Sequence, residues 1–255
     1  MSGSLRIASY NIHACVGLDR RQDVGRVAAV LREIDADVVG LQEVESRHGR
    51  SAADQAGALG EALGMHCVEG PLLHGERGWY GNALLSRRPI RAVRRVLFES
   101  CSREARGAIV ADLEGPAEAR WRILTTHLDL HSGRRRRQFE HVLDEILPAH
   151  VTPTVVIGDF NEWWPFNRGL ELLRSHAELP DVPPTFPSRW PFLALDRMAL
   201  SACRTRGPLR RHVTPLSRIA SDHLPIFADV VPLPDLRLVG GRALHGAAPP
   251  ERRHG

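Results

Sequence analysis

Residues 154–161 read TVVIGDFN, and they show the fold more clearly than any other stretch of the chain. The apolar run Val155–Ile157 predicts a buried strand, and Gly158 allows another backbone to approach closely. Asp159 and Asn161 are two residues apart, so in an extended chain they project to the same side. The segment predicts a strand with functional polar groups at its end, and an Asx turn that closes the strand is the alternative interpretation.

The same order of elements occurs earlier in the chain. Asp37–Glu43 (DVVGLQE) is a second apolar strand that ends in a carboxylate, and Asp23–Ile34 predicts an amphipathic helix before it. Arg135–Leu147 predicts the corresponding helix before residues 154–161. Two similar halves of this kind indicate two sheets packed face to face, with functional groups gathered at one rim.

The rest of the chain adds shorter elements around these two halves. Apolar runs and alternation predict one more helix, Ala52–Leu63, and six strands: Leu5–Tyr10, Tyr80–Ser86, Ala108–Leu113, Arg122–Thr126, Leu195–Leu200 and Pro225–Val231. No linker interrupts the middle of the sequence, so residues 1–234 are predicted to form one catalytic domain. Residues 235–255 are rich in Pro, Gly, Arg and His and are predicted to be a disordered tail.

Composition limits the classes of protein to consider. All 34 basic residues are arginine, and the formal net charge of the 255 residues is +4. This balance is compatible with a polyanionic substrate, but the arginine-favouring codons of a G+C-rich genome are the preferred explanation for the arginine content. The 4 cysteines are scattered without a C-x-x-C pair, which argues against a structural zinc site. The sequence contains no recognisable signal peptide or membrane-spanning run. We therefore expect a cytoplasmic protein without a transmembrane segment. Peripheral contact with a membrane is compatible with this expectation.

Five short segments carry groups capable of chemistry, and each adjoins an apolar strand, which is a rigid mount for a site. They are Ser9-Tyr-Asn11, Leu41-Gln-Glu43, Thr126-His127-Leu-Asp129, Gly158-Asp159-Phe-Asn161 and Ser221-Asp222-His223.

The first two segments predict a site for a hard cation. Mg²⁺ prefers oxygen ligands, and Glu43, the side-chain carbonyl of Asn11 and one further carboxylate would provide them. A solvated surface charge is the alternative for Glu43 taken alone.

His127 and His223 each lie within two residues of an aspartate. A catalytic histidine often uses a carboxylate to fix its tautomer and stabilise the imidazolium. Asp196 is a candidate for this role beside His223. For a single histidine, a structural hydrogen bond is the more common explanation.

In this order, the segments resemble the endonuclease/exonuclease/phosphatase superfamily, to which deoxyribonuclease I belongs. The resemblance runs from Leu5 to about Val231 and implies an α/β fold, a four-layer α-β-β-α sandwich with two packed mixed β-sheets. It also implies a divalent-metal-dependent phosphoester hydrolase in which an activated water attacks phosphorus in line.

The resemblance assigns roles to eight residues. Mg²⁺ (or Mn²⁺) would lie near Asn11 and Glu43, with Asp222 close to it. Asp159 would activate or orient the attacking water, and Asn161 would hold the water or the phosphate. His127 and His223 would contact phosphoryl oxygens, with Asp196 hydrogen-bonded to His223.

The substrate is less well defined by the sequence. Trp163, Trp164 and Trp190 adjoin the motifs and are explained by loop packing, base stacking or insertion at a lipid interface. We expect the substrate to be a small or lipid-linked phosphodiester rather than DNA. Phospholipid and nucleic acid are therefore both candidate partners. The alternatives are a nuclease of the abasic-site repair type and a non-catalytic module that binds phosphate ligands.

Overall fold

The computed structural model of the protein describes residues 3–47, 54–76, 78–98, 105–146, 152–164 and 166–234. Two mixed sheets form its centre. The first sheet has seven strands, which are β1 (Leu5–Asn11), β2 (Val38–Arg47), β3 (His66–Gly75), β4 (Gly78–Ser86), β10 (Cys203–Thr205), β11 (Arg210–Arg211) and β12 (Ile226–Pro232). Their order is β10-β12-β1-β2-β4-β3, with β11 paired to β12. Strands β1 and β2 are parallel, and the other pairs are antiparallel.

The second sheet has five strands in the order β5-β6-β7-β8-β9. Its strands are β5 (Ile90–Phe98), β6 (Arg106–Glu114), β7 (Arg120–His127), β8 (Thr154–Asp159) and β9 (Asp196–Ser201). Strands β7 and β8 are parallel, and the helix between them makes the crossover that a parallel pair requires.

Consecutive apolar residues of the central strands face two different cores. In β8, Val155 packs into the core between the sheets, whereas Val156 packs beneath the helices on the outside. Val38 and Val39 divide in the same way on β2. Since these strands are covered on both faces, they read as continuous apolar runs rather than as alternating ones.

Helices cover the outer face of each sheet and complete the four layers. α1 (Val24–Ile34) and α2 (Gln55–Leu63) pack on the seven-stranded sheet, next to the short α5 (Ser217–Ala220). α3 (Ser132–Ile146) and α4 (Arg168–Arg174) pack on the five-stranded sheet. The predicted fold class, an α/β sandwich of two packed mixed sheets, is confirmed. None of the described helices is long and apolar enough to cross a membrane.

Several strands and helices of the structure were not predicted from the sequence. They are strands β3, β5, β10 and β11 and helices α4 and α5. β5 lies at the edge of its sheet and is mostly exposed, so polar side chains are tolerated along it. Its three arginines interrupt the apolar pattern by which a strand is predicted. The predicted tail, residues 235–255, lies outside the described residues, and the division of the chain at residue 234 stays a prediction.

Candidate active site

The five-stranded sheet brings three of the predicted residues to one edge. β7 ends at His127, β8 ends at Asp159, and the antiparallel β9 begins at Asp196. The strand register pairs His127 with Asp159 and Asp159 with Asp196. Because the three positions are neighbours in the ladder, their side chains are held by the backbone of three paired strands. Gly158 makes this spacing possible, since a Cβ there would lie 1.9 Å from the carbonyl oxygen of Thr126.

The seven-stranded sheet supplies the other residues at the same edge of the sandwich. β1 ends at Asn11, and the Ser221-Asp222-His223 segment lies just before β12, which pairs with β1. The hydroxyl of Ser221 donates to the backbone oxygen of Asn11 at 2.8 Å and lies 3.3 Å from Oδ1 of Asp222. Asp222 is half-buried, and its Oδ1 is also 3.9 Å from Nδ1 of His13.

Glu43 enters the site through a bulge in β2. The pairing of β2 with β4 shifts between Leu41 and Val44, and Glu43 has a positive φ of 57°. Such a conformation is rare for a glutamate and is stable only when surrounding contacts fix it. Bulges redirect a side chain out of the regular alternation of a strand. Here the redirected carboxylate accepts a hydrogen bond from the Asn11 amide.

The Asn11 amide joins the two sheets at the site. Its Nδ2 donates to Oε1 of Glu43 at 3.0 Å and to Oδ2 of Asp159 at 3.1 Å. Its Oδ1 accepts the backbone N–H of His13 at 3.1 Å. One lone pair of that carbonyl oxygen is thus in use and a second is left. The predicted role of Asn11 as a metal ligand stays a prediction, while the geometry shows it orienting two carboxylates.

Asp159 is the residue around which the others gather. Its Oδ2 lies 3.6 Å from Nε2 of His127 and 3.6 Å from Nε2 of His223. Its Oδ1 accepts the backbone N–H of Asn161 at 2.9 Å, so the Asx turn considered from the sequence is present within the site itself. Asn161 has a positive φ of 52°, which asparagine tolerates better than most residues.

His223 is backed by a carboxylate. Its Nδ1 donates to Oδ2 of Asp196 at 2.9 Å, and the same oxygen accepts the hydroxyl of Thr185. Burial alone would lower the pKa of His223, but the negative charges of Asp196 and Asp159 outweigh burial and raise this pKa to about 10. His223 is therefore an imidazolium at neutral pH.

His127 is backed by a guanidinium instead. Nη1 of Arg106 lies 3.0 Å from Nδ1 of His127 and can only donate, so this nitrogen is the acceptor. Burial lowers the pKa of His127 to about 3, and the charges of Arg106 and His223 act in the same direction against the attraction of Asp159. His127 is therefore neutral at pH 7. Nδ2 of Asn161 lies 3.0 Å from its Nε2.

The structure thus brings together all eight residues predicted for the site, and it adds others that the sequence did not reveal. These are Arg106, at the start of β6, and Thr185, in the loop before residue 186, and neither was among the candidate residues. Asp129, two residues from His127, does not pair with it. Asp129 instead binds Arg134 at 2.9 Å and accepts the backbone N–H of His131.

Two groups of side chains could hold a cation. Carboxylate oxygens of Asp159 and Asp196 and a ring nitrogen of His223 lie within 4.8 Å of one another. A metal requires a deprotonated ring nitrogen, and the carboxylates around His223 oppose this loss of a proton by raising its pKa to about 10. The second group is Glu43, which accepts the Asn11 amide, and Asp222, which is linked to the backbone oxygen of Asn11 through the Ser221 hydroxyl. Both carboxylates are half-buried, and oxygen donors are the ligands that a hard divalent cation prefers.

Comparisons with known proteins agree with this architecture. A model of the Endonuclease/Exonuclease/phosphatase family matches residues 8–223. The chain belongs to this family, and membership confirms the prediction of an enzyme that hydrolyses phosphoester bonds. Divalent-metal dependence is general in the family. A search of curated proteins gives no significant match.

Solved structures share the fold at low sequence identity. An endonuclease/exonuclease/phosphatase from Beutenbergia cavernae is 23% identical, with a TM-score of 0.72 over 90% of this chain and 72% of that chain. The human Nocturnin catalytic domain, solved with a bound sulfate anion, is 21% identical, with a TM-score of 0.72 over 91% of this chain and 95% of its own. D. rerio TDP2, complexed with a single-strand DNA product, is 19% identical, with a TM-score of 0.70 over 89% of this chain and 99% of its own.

Proposed function

We propose that the protein is a divalent-metal-dependent phosphodiesterase in which a water activated by Asp159 attacks phosphorus in line. The observation that carries the proposal is the position of Oδ2 of Asp159. This oxygen accepts the Asn11 amide and lies 3.6 Å from a ring nitrogen of each buried histidine. A carboxylate at the meeting point of two sheets, faced by one charged and one neutral imidazole, can accept a proton while phosphate is bound beside it.

The proposed position of the cation is beside Glu43 and Asp222, which are more exposed than Asp159 and the two histidines. Glu43 and Asp222 would hold Mg²⁺ (or Mn²⁺) by their carboxylate oxygens, and Asn11 would keep Glu43 in position. When bound, the cation would neutralise charge on a phosphoryl oxygen.

The chain's own residues perform the remaining tasks. Asp159 takes the proton of the attacking water as the new P–O bond forms and the bond to the leaving oxygen breaks. His223, as an imidazolium, donates to a phosphoryl oxygen where negative charge increases. Asp196 fixes the orientation and charge of His223 through the 2.9 Å hydrogen bond. His127 and Asn161 hold the opposite side of the phosphate.

The substrate we propose is a small or lipid-linked phosphodiester. Trp163, Trp164 and Trp190 are exposed on loops beside the site, which supports a substrate with an apolar part. DNA is the second candidate, because TDP2, which shares the fold, was solved with a single-strand DNA product. A non-catalytic phosphate-binding module is disfavoured, since the carboxylates and histidines needed for turnover are assembled together.

The experiment that tests the proposal compares two soluble reporters. Purified protein is assayed with bis(p-nitrophenyl) phosphate and p-nitrophenyl phosphate in the presence of Mg²⁺, Mn²⁺ or EDTA, and in parallel with an abasic-site DNA duplex. We expect metal-dependent hydrolysis that is faster for the diester and is abolished by EDTA. Turnover unaffected by EDTA, or faster for the monoester, would contradict the proposal, and cleavage confined to the duplex would favour the nuclease.

A further inference from the structure

Three loops surround the site, and we call them the rim loops. They are residues 128–131 after β7, the described residues 160–164, 166 and 167 after β8, and residues 186–195 before β9. Because β7 and β8 end, and β9 begins, at the edge that carries Asp159, all three loops project from that edge.

The rim loops expose large apolar side chains. Every exposed Trp or Phe of the described residues lies on them, together with one leucine, and these side chains are 57% to 75% exposed: Leu130, Trp163, Trp164, Phe166, Trp190 and Phe192. The other described tryptophans, Trp79 and Trp121, are buried in the cores. A concentration of exposed aromatic rings at one end of a protein marks an interaction surface.

The backbones of these loops are firmly held, so the exposure is a property of the folded protein. Arg135 donates to the backbone oxygen of Leu130 at 2.8 Å and to the buried carboxylate of Glu162 at 2.7 Å, which ties the first rim loop to the second. In the third loop, the hydroxyl of Ser188 donates to the backbone oxygen of Ser221 at 2.7 Å. Anchored loops that present aromatic rings to solvent are suited to binding a partner without much loss of conformational entropy.

The charge exposed on the rim loops themselves is positive. The only acidic residues within the rim loops are Asp129 and Glu162, and both are buried and paired with arginines. Arg189 on the third loop is exposed, and so is Arg168, the residue that directly follows the second loop. The exposed acids Glu140 and Glu171 lie farther along the helices that follow the loops. The partner therefore presents negative charge next to an apolar region.

We propose that the rim loops dock the enzyme onto an anionic lipid membrane, so that the headgroup phosphodiester of a membrane lipid reaches Asp159. This inference rests on the proposed phosphodiesterase function and narrows its substrate to lipid. Tryptophan and phenylalanine beside arginine are the residues that insert at the boundary of headgroups and acyl chains. A nucleic acid fits less well, because Leu130 has no flat face on which a base stacks.

The test is co-sedimentation of the protein with vesicles of phosphatidylcholine alone and of phosphatidylcholine mixed with phosphatidylglycerol. The variants are Trp190→Ser/Phe192→Ser on the third rim loop and Leu130→Ser on the first. The matched control is Leu233→Ser, because this leucine is exposed just after β12 at the opposite end of the sandwich. Thermal unfolding checks that each variant is folded.

We expect the wild type and the Leu233 variant to sediment with the mixed vesicles and less with phosphatidylcholine alone. The double variant should partition about tenfold less, and the Leu130 variant should partition less to a smaller degree. A wild type that stays in solution with both vesicles, or a double variant that sediments like the control, would overturn the proposal. So would substitutions that leave sedimentation intact and weaken only binding to a single-stranded oligonucleotide. Hydrolysis of bis(p-nitrophenyl) phosphate without vesicles tests the phosphodiesterase function separately.

Discussion

The two buried histidines of the site look alike from the substrate side and differ on their far sides. Each presents Nε2 to the same oxygen of Asp159 at 3.6 Å. Behind His223 lies the carboxylate of Asp196, and behind His127 lies the guanidinium of Arg106. The carboxylate overcomes burial and keeps the pKa of His223 near 10, whereas burial, assisted by the guanidinium, lowers the pKa of His127 to about 3.

The difference shows how one residue type supplies two functions within one site. A buried imidazole loses its charge unless a carboxylate compensates for the lost solvation. In the proposed mechanism, His223 therefore brings a positive charge to the phosphate, and His127 brings a neutral ring. The partner behind the ring, rather than the ring itself, decides which function each histidine performs.

The largest effect should follow from removing the charged histidine. His223→Gln eliminates the cation that faces the phosphoryl oxygen, and we expect kcat for bis(p-nitrophenyl) phosphate to fall on the order of 10³-fold. The matched control is His176→Gln, an exposed histidine after α4, which should retain wild-type activity. Equal activity of the two variants would show that His223 does not act on the substrate.

A smaller effect is expected when His223 stays but its carboxylate is neutralised. Asp196→Asn keeps the shape of the contact and removes the charge that sustains the imidazolium, so kcat should fall about 10²-fold with little change in KM. Steady-state kinetics with the soluble diester measure this split. A change in KM alone would contradict the role of Asp196 in setting the charge of His223.

The neutral side of the site should be less sensitive. Arg106→Gln removes the guanidinium behind His127 and leaves the ring in place, so we expect kcat to fall only about tenfold. If this loss equalled or exceeded that of Asp196→Asn, the two histidines would not differ as proposed. The same kinetic assay decides between these outcomes.

The smallest effect on rate, together with a clear effect on stability, should come from the support of the rim loops. Glu162→Gln breaks the buried ion pair with Arg135 and should lower the free energy of unfolding by about 3 kcal/mol. Because Glu162 does not touch the histidines, we expect kcat to fall less than about threefold at a temperature where the variant is folded. Urea unfolding and kinetics measured side by side test this, and unchanged stability would show that the pair is not a fold-stabilising contact.

Much of the fold and part of the site could be predicted from the sequence, for physical reasons. The apolar runs of β2 and β8 reflect strands covered on both faces, and polar residues at strand ends mark a rim. Asp159 and Asn161 were recognisable because only one residue lies between them. The bulge that turns Glu43 into the site was not, since a positive φ in a glutamate has no sequence signature.

The charge of each histidine was equally hidden from the sequence. The sequence left the partner of His127 open, and the pairing of strands brings Arg106 of β6 beside it. His223 pairs with Asp196, which is 27 residues distant. Contacts between strands far apart in sequence decide such pairings, and periodicity within one strand carries no information about them.

The most direct test of the account is the rate of bis(p-nitrophenyl) phosphate hydrolysis by Asp159→Asn and Asp144→Asn, compared with the wild type in saturating Mn²⁺. Asp144 is an exposed aspartate near the end of α3, so its variant controls for a lost carboxylate elsewhere. We predict that Asp144→Asn keeps wild-type turnover and that Asp159→Asn loses at least about 10³-fold while remaining folded. A folded Asp159→Asn protein that hydrolyses the diester at the rate of the control would contradict the central role given to Asp159.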